Sequence, residues 1–201
     1  MTPLYIFDLD GTLALIDHRR HLVERDSCST CRGVRVVKRE PVQVDPRPVP
    51  DRHGQPVYLP VMDTCPTCEG SGKQKPNWPA FFRACVDDAP NWPVIATMHA
   101  LLKSGADVQI WSGRSAEVMN ETLTWLHRWV FGGDIDADEV QLVMRREGDF
   151  TPDEQLKAGW HDALSELDRR RLVAVFDDRQ KVVDMWRSKG VACFQVAPGE
   201  F

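Results

Sequence analysis

Three apolar runs in this chain end abruptly in residues suited to acid, metal or phosphate chemistry. Leu4-Tyr5-Ile6-Phe7 runs into Asp8-Leu9-Asp10-Gly11-Thr12, Val108-Gln109-Ile110-Trp111 into Ser112-Gly113-Arg114, and Leu172 to Phe176 into Asp177-Asp178. An acidic pair directly after a buried strand is costly without a cation or a partner. A hard divalent cation, most simply Mg²⁺, would relieve the repulsion among such carboxylates and keep them ionised. Asp8 and Asp10 could instead be a polar exit from a strand, with Gly11 supplying the turn. The full string DxDGT, however, arises by chance in a chain of this length on the order of once in a thousand. Asp153 and Lys157 lie four apart, which fits either a surface helix ion pair worth about 0.3–0.5 kcal/mol or a charged pair at a site. Arg19, within His18-Arg19-Arg20-His21, fits either a solvated turn or an anion-binding arm.

A second constellation is made of sulfur. Cys28-x2-Cys31 and Cys65-x2-Cys68 are separated by 33 residues. Two CxxC knuckles present four thiolates to one ion, the tetrahedral donor set that Zn²⁺ takes. Redox-active or free thiols are the other readings. The form CxxCxGxG, complete in the second pair as CPTCEGSG, resembles the zinc repeats of J-domain chaperones; the first pair, CSTCRGV, has one of the two glycines. Cys85 and Cys193 have no partners in sequence and read as plain buried thiols.

The elements that must position these groups follow from composition and periodicity. At 201 residues, with 42% hydrophobic and 27% charged residues, the chain has ordinary globular composition for one domain, or one domain with an insertion. Residues 24–76 stand apart: they hold eight of the 14 prolines and four of the six cysteines, and they lack a long helical pattern. Such a segment needs a staple, which zinc would supply. From residue 77 the text alternates. Helix is expected over most of Pro79 to Lys103, then strand over 108–111, helix over 115–130, strand over 140–144, helix over 152–167, strand over 172–176, helix over 179–189 and strand over 191–196. Alternation of this kind predicts an α/β core, a mainly parallel sheet with helices on both faces, with the chemistry beyond the carboxyl ends of the strands.

DLDGT after a first strand resembles motif I of the haloacid dehalogenase superfamily of phosphotransferases. WSGR at 111–114, EGDFTPDEQLK at 147–157 and LVAVFDDRQKVVDMWRSKGVACFQVAPGEF at 172–201 resemble, more narrowly, the 3′-phosphatase domains of phage polynucleotide kinase-phosphatases. The resemblance covers residues 1–20 and about 77–201. It implies a Rossmann-like phosphatase core formed by residues 1–23 and 77–201, with 24–76 inserted at the position where this superfamily often carries a cap. It also implies Asp8 as nucleophile, Asp10 as general acid and base, and Lys157 as the cation on the phosphoryl group. Thr12, Arg19, Ser112, Gly113, Arg114 and Asp153 would bind substrate or phosphate. Asp8, Asp10 through its carbonyl, Asp177 and Asp178 would hold Mg²⁺. No GxxxxGK[ST] string occurs, so the expectation is phosphatase activity without a kinase.

The expected function is therefore Mg²⁺-dependent removal of 3′-phosphates from nucleic-acid ends, with a separate kinase or ligase as an expected partner. The alternatives are a phosphatase of nucleotides or other small esters, and a zinc-containing nucleic-acid-binding module on a passive core. Arg32, Arg35, Lys38, Arg39, Arg47, Arg52, Lys73 and Lys75 make the insert locally basic within a chain of net charge −5; this suits steering a nucleic-acid end as well as a plain lid. The net charge excludes a uniformly basic coat. The first strand is too short and acidic for a signal peptide or an anchor, so the cytoplasm, or the host cytoplasm for a phage-encoded chain, is the expected compartment.

Overall fold

The computed structural model describes residues 1–24, 26–39, 44–132 and 135–199. In chain order these form β1 (Leu4–Asp8), β2 (Ala14–Leu15), α1 (Asp17–Arg20), β3 (Val36–Lys38), β4 (Val49–Pro50), β5 (Pro56–Val57), β6 (Met62–Thr64), α2 (Trp78–Arg83), β7 (Ala89–Pro90) and α3 (Trp92–Lys103). There follow β8 (Asp107–Ser115), α4 (Met119–Trp129), β9 (Val140–Arg145), α5 (Asp153–Ala163), α6 (Glu166–Arg171), β10 (Leu172–Arg179), α7 (Gln180–Ser188) and β11 (Ala192–Gly199). The chain divides into two compact units, one of Met1–His21 with Trp78–Phe201, the other Leu22–Asn77.

The larger unit is the parallel α/β core that the alternation predicts. Its five-stranded sheet runs in the order β11-β10-β1-β8-β9, every pairing within it parallel. Successive residues of β1 face opposite ways, as the period of two requires. Phe7 packs with Ile95, Met98, Trp125 and Leu126 of α3 and α4. Ile6 packs on the other face with Val182, Val183 and Trp186 of α7. Helices thus cover both faces, and the strands that carry the three chemical motifs, β10, β1 and β8, are adjacent at the centre.

Two helical stretches are broken where the periodicity reads through. The expected helix from Pro79 to Lys103 is two helices, separated by a 3₁₀ turn and by β7, which pairs with β2. Pro93 sits in the first turn of α3, where a proline lacking its N–H costs nothing. The stretch from 152 to 167 breaks at Leu164, and the Ser165 hydroxyl then caps α6 by accepting from the amide of Asp168 at 3.0 Å. Strands β8 and β10 continue past their apolar runs through Ser112-Gly113-Arg114 and Asp177-Asp178.

Among its described residues the smaller unit has two short antiparallel strand pairs, β3 with β6 and β4 with β5. Its buried cluster is the four cysteines, with Val37 packed against them. Val34, Val49, Val57, Tyr58, Leu59 and Met62 are exposed.

Candidate active site

Asp8 is the last residue of β1, and Asp177 and Asp178 lie near the end of neighbouring β10; all three are buried. One carboxylate oxygen from each lies within 4.8 Å of the others. From α5, Lys157 reaches into this group with its Nζ 2.5 Å from Asp8 Oδ1 and 2.8 Å from Asp177 Oδ2. It also lies 3.4 Å from Asp153 Oδ2. The Asp153–Lys157 pair is therefore no surface ion pair: the two side chains are 6% and 1% exposed.

The electrostatics are those of too many carboxylates for one ammonium. Burial pushes the Asp8 carboxyl well above the usual range; Asp177, Asp178 and Asp153 add to this while Lys157 opposes it. Burial and the neighbouring Asp177 charge push Asp178 up to about 7. Burial works against the Lys157 ammonium, yet Asp153, Asp177 and Asp8 hold its pKa well above the ordinary lysine value. Asp178 Oδ1 is buried without a hydrogen-bond partner. An orphaned anionic oxygen in such company fits a site for a hard cation.

Two glycines make the close approaches possible. Gly11, at φ +90°, lies so near the Asp178 carboxylate that a Cβ would overlap it. A Cβ on Gly113 would likewise strike the Asp153 carboxylate. Ser112 is fully buried, and its hydroxyl accepts from the amide of Arg114 at 3.1 Å. Thr12 is buried with its hydroxyl lacking a partner.

Asp10 faces a different group. Arg19 and Arg114 are fully buried rather than solvated, and both donate to Asp10 Oδ1, Arg19 Nη2 at 2.8 Å. Both also donate to Asp88, a residue with no motif spacing in the sequence. Arg19 Nε and Nη2 lie 2.7 and 2.6 Å from its oxygens, and Arg114 Nη2 lies 2.9 Å away. His18 Nε2 completes the set at 2.9 Å. Two guanidiniums thus balance two carboxylates. Burial alone would raise the Asp10 carboxyl, yet Arg114 and Arg19 hold it at about 2. As held here, the arginines engage Asp10 and Asp88 instead of standing as open phosphate-binding arms. Arg145 is a second group without a sequence signal: its Nε donates to Gly113 O at 2.7 Å and its Nη2 to Asp153 Oδ1 at 3.3 Å.

In the smaller unit, Cys28 Sγ lies 3.9 Å from Cys65 Sγ, and Cys31 Sγ lies 3.6 Å from Cys68 Sγ. All six cysteines are free thiols. Four sulfurs around Zn²⁺ at about 2.3 Å stand about 3.8 Å apart, so the spacing fits that ion. The two knuckles repeat one another's main-chain bonds: Cys28 N donates to Gly72 O and Cys65 N to Arg35 O, both at 2.9 Å. The Gly72 amide also points at Cys68 Sγ from 3.3 Å. Burial opposes the Cys68 thiolate, but this amide and the neighbouring thiols bring the thiol down to about 6.

The family model of the polynucleotide kinase PNKP phosphatase domain matches residues 76–201. The chain belongs to this family. It is thus a phosphatase domain of the haloacid dehalogenase type. The match leaves out β1, which the sheet places between β8 and β10, both within the matched residues. A chain in the solved Pnkp1/Rnl/Hen1 RNA repair complex is 25% identical, with a TM-score of 0.60 over 100% of this chain and 44% of its own. A chain in a second Pnkp1/Rnl/Hen1 complex has the same fold, at 24% identity and a TM-score of 0.59 over 100% of this chain and 48% of its own. This phosphatase domain therefore spans less than half the length of those chains. Among the described residues no helix is long and apolar enough to cross a membrane.

Proposed function

We propose that this phosphatase domain removes 3′-phosphates from nucleic-acid ends through an aspartyl-phosphate on Asp8. The observation that carries the reading is Asp8 at the end of the central strand, with Lys157 at 2.5 Å and two further buried carboxylates beside it. Asp8 attacks phosphorus as the bond to the leaving 3′-oxygen breaks. Asp10 protonates that oxygen, then takes a proton from the water that hydrolyses the aspartyl-phosphate, a role worth about 10²–10⁴-fold. The form in which Arg19 and Arg114 hold Asp10 suits the second step; an incoming phosphate that draws the arginines toward itself would free Asp10 for the first. Lys157, Ser112, Thr12 and the Gly113 amide hold phosphate oxygens, with Asp153 positioning Lys157 and Gly113. Asp8, Asp177, Asp178 and the Asp10 carbonyl would hold Mg²⁺, and the orphaned Asp178 oxygen supports that donor set. When bound, Mg²⁺ keeps Asp8 ionised against its neighbours and neutralises phosphate charge.

Zn²⁺ on Cys28, Cys31, Cys65 and Cys68 is proposed as a structural ion of the smaller unit. Residues 24–76 hold nine basic and seven acidic side chains, and Arg39, Arg47 and Lys75 are paired with Asp63, Asp45 and Glu69. The two net negative charges of a zinc tetrathiolate cancel the basic excess, which weakens the case for the insert as an electrostatic guide. The RNA repair setting of the similar chain supports nucleic-acid ends as substrate and a ligase or kinase acting on the same ends.

The test is phosphate release with Mg²⁺ from a 3′-phosphorylated oligonucleotide, a 5′-phosphorylated one and nucleoside monophosphates. The expected result is release from the 3′ end, lost in Asp8→Asn and in EDTA. Fast release from monophosphates with none from 3′ ends would overturn the nucleic-acid reading in favour of a small-ester phosphatase. Binding of the oligonucleotide without hydrolysis of anything would favour the passive-core module.

A further inference from the structure

Among the described residues, Phe150 is 87% exposed, more than any other large apolar side chain. A lone exposed phenylalanine on a slack loop would need no explanation, but this loop is not slack. Arg145 Nη1 donates to the carbonyls on both sides, Asp149 O at 3.3 Å and Thr151 O at 2.5 Å. Asp149 Oδ1 accepts from the Thr151 amide at 2.8 Å, and the Asp149 amide bonds Arg146 O at 3.1 Å. The ring is therefore displayed by a clamped backbone. The clamp is also tied to the site, because the same guanidinium bonds Gly113 O and Asp153 Oδ1. Phe150 lies three residues before Asp153, hence within about 11 Å of it along the chain. It follows β9, at the same end of the parallel sheet as Asp8.

We propose that Phe150 is a specificity residue: a stacking platform for the nucleobase of the nucleotide whose phosphate sits on Asp8. A phenyl ring offers nothing to phosphate or ribose hydroxyls, but every base has a π-face, and base–aromatic stacking tolerates any sequence. Such a platform would separate nucleic-acid ends from small phosphomonoesters without reading their sequence. This inference rests on the 3′-phosphatase reading above and deepens it.

The experiment is steady-state kinetics on the whole chain with three probes: a 3′-phosphorylated oligonucleotide, the same oligonucleotide with its terminal base removed, and p-nitrophenyl phosphate. Phe150→Ala should raise KM for the intact oligonucleotide about tenfold. It should leave p-nitrophenyl phosphate turnover and the melting temperature unchanged, since the ring is exposed. Phe150→Trp should retain the low KM, whereas Phe150→Leu should not. Removing the terminal base should cost the wild type the same factor and Phe150→Ala nothing further. An unchanged KM in Phe150→Ala, with the wild type active on the oligonucleotide, overturns the stacking role alone. A wild type that hydrolyses p-nitrophenyl phosphate but not the oligonucleotide overturns the nucleic-acid reading and the stacking role together.

Discussion

Asp88 has no place in any motif, yet it holds both guanidiniums that converge on Asp10. Removing one member of a buried charge network leaves its partners uncompensated, which costs about 3–5 kcal/mol. Asp88→Ala should therefore lower the urea midpoint by that equivalent, and a midpoint within error of wild type would show that Arg19 and Arg114 need only Asp10. Asp178 should behave in the opposite way. Its Oδ1 has no partner, and its charge sits beside Asp177 and Asp8 with Lys157 as the buried cation among them. In EDTA and above about pH 7, where Asp178 is ionised, Asp178→Asn should stabilise the chain by about 1 kcal/mol or more, by removing an uncompensated buried charge, and the gain should fade as the pH drops below 7. With Mg²⁺ it should lose turnover. A variant less stable than wild type in EDTA would mean that Asp178 already has a partner in the metal-free protein. The carboxylates of DxDGT and of Asp177-Asp178 were legible because they interrupt apolar runs. Asp88 was not, because a helical reading from Pro79 to Lys103 buries it in a pattern; only Pro90 and Pro93, bracketing Asn91, mark the break that places it.

At the scale of elements, the strand order could be anticipated only in part. Alternation predicted a parallel sheet and adjacent motifs, but β8 and β10 outrun their apolar residues. Pairing of Ser112 with Met144 and of Asp177 with Gln195 carries both strands into their polar ends, where the register shifts between Ser112 and Ser115 and between Asp177 and Arg179; main-chain pairing is blind to side-chain polarity. The cysteine knuckles show a related effect. Gly72 and Arg35 occupy equivalent places in the two turns, at φ +77° and +75°. The missing second glycine of CSTCRGV is thus an arginine held in a left-handed conformation, which costs a side-chain-bearing residue about 1–2 kcal/mol. Arg35→Gly should raise the melting temperature of the zinc-loaded chain, or at least not lower it. Gly72→Ala should lower it, since its Cβ would also come within 2.8 Å of Gly33 O. Equal losses from both substitutions would mean that the turns are not equivalent.

Over the whole molecule, the two units rest on different sources of stability. The unit containing the sheet buries two apolar clusters, one on each face. Leu22–Asn77 buries four cysteines against little else, and leaves Val34, Val44, Val49 and Val57 exposed. Ordering a segment of that length costs far more than such a core returns, at about 1.5 kcal/mol per residue. Zinc binding, worth an apparent 10–16 kcal/mol in small peptides, would be the largest single stabilising contribution in this unit. The ends of the segment meet, with the Asn77 amide 2.8 Å from Leu22 O, so its loss need not pull the core apart. Zinc chelation should therefore unfold one unit and spare the other. By hydrogen exchange, the amides of Cys28, Arg39 and Cys65, which are bonded within the smaller unit, should lose protection once a chelator has removed the metal. Those of β1, β8 and β10 should keep theirs. Loss of protection in both units at once would make the chain a single cooperative fold. Unchanged protection of Cys28 and Cys65 in metal-free protein would show that the strand pairs, rather than zinc, hold the insert together.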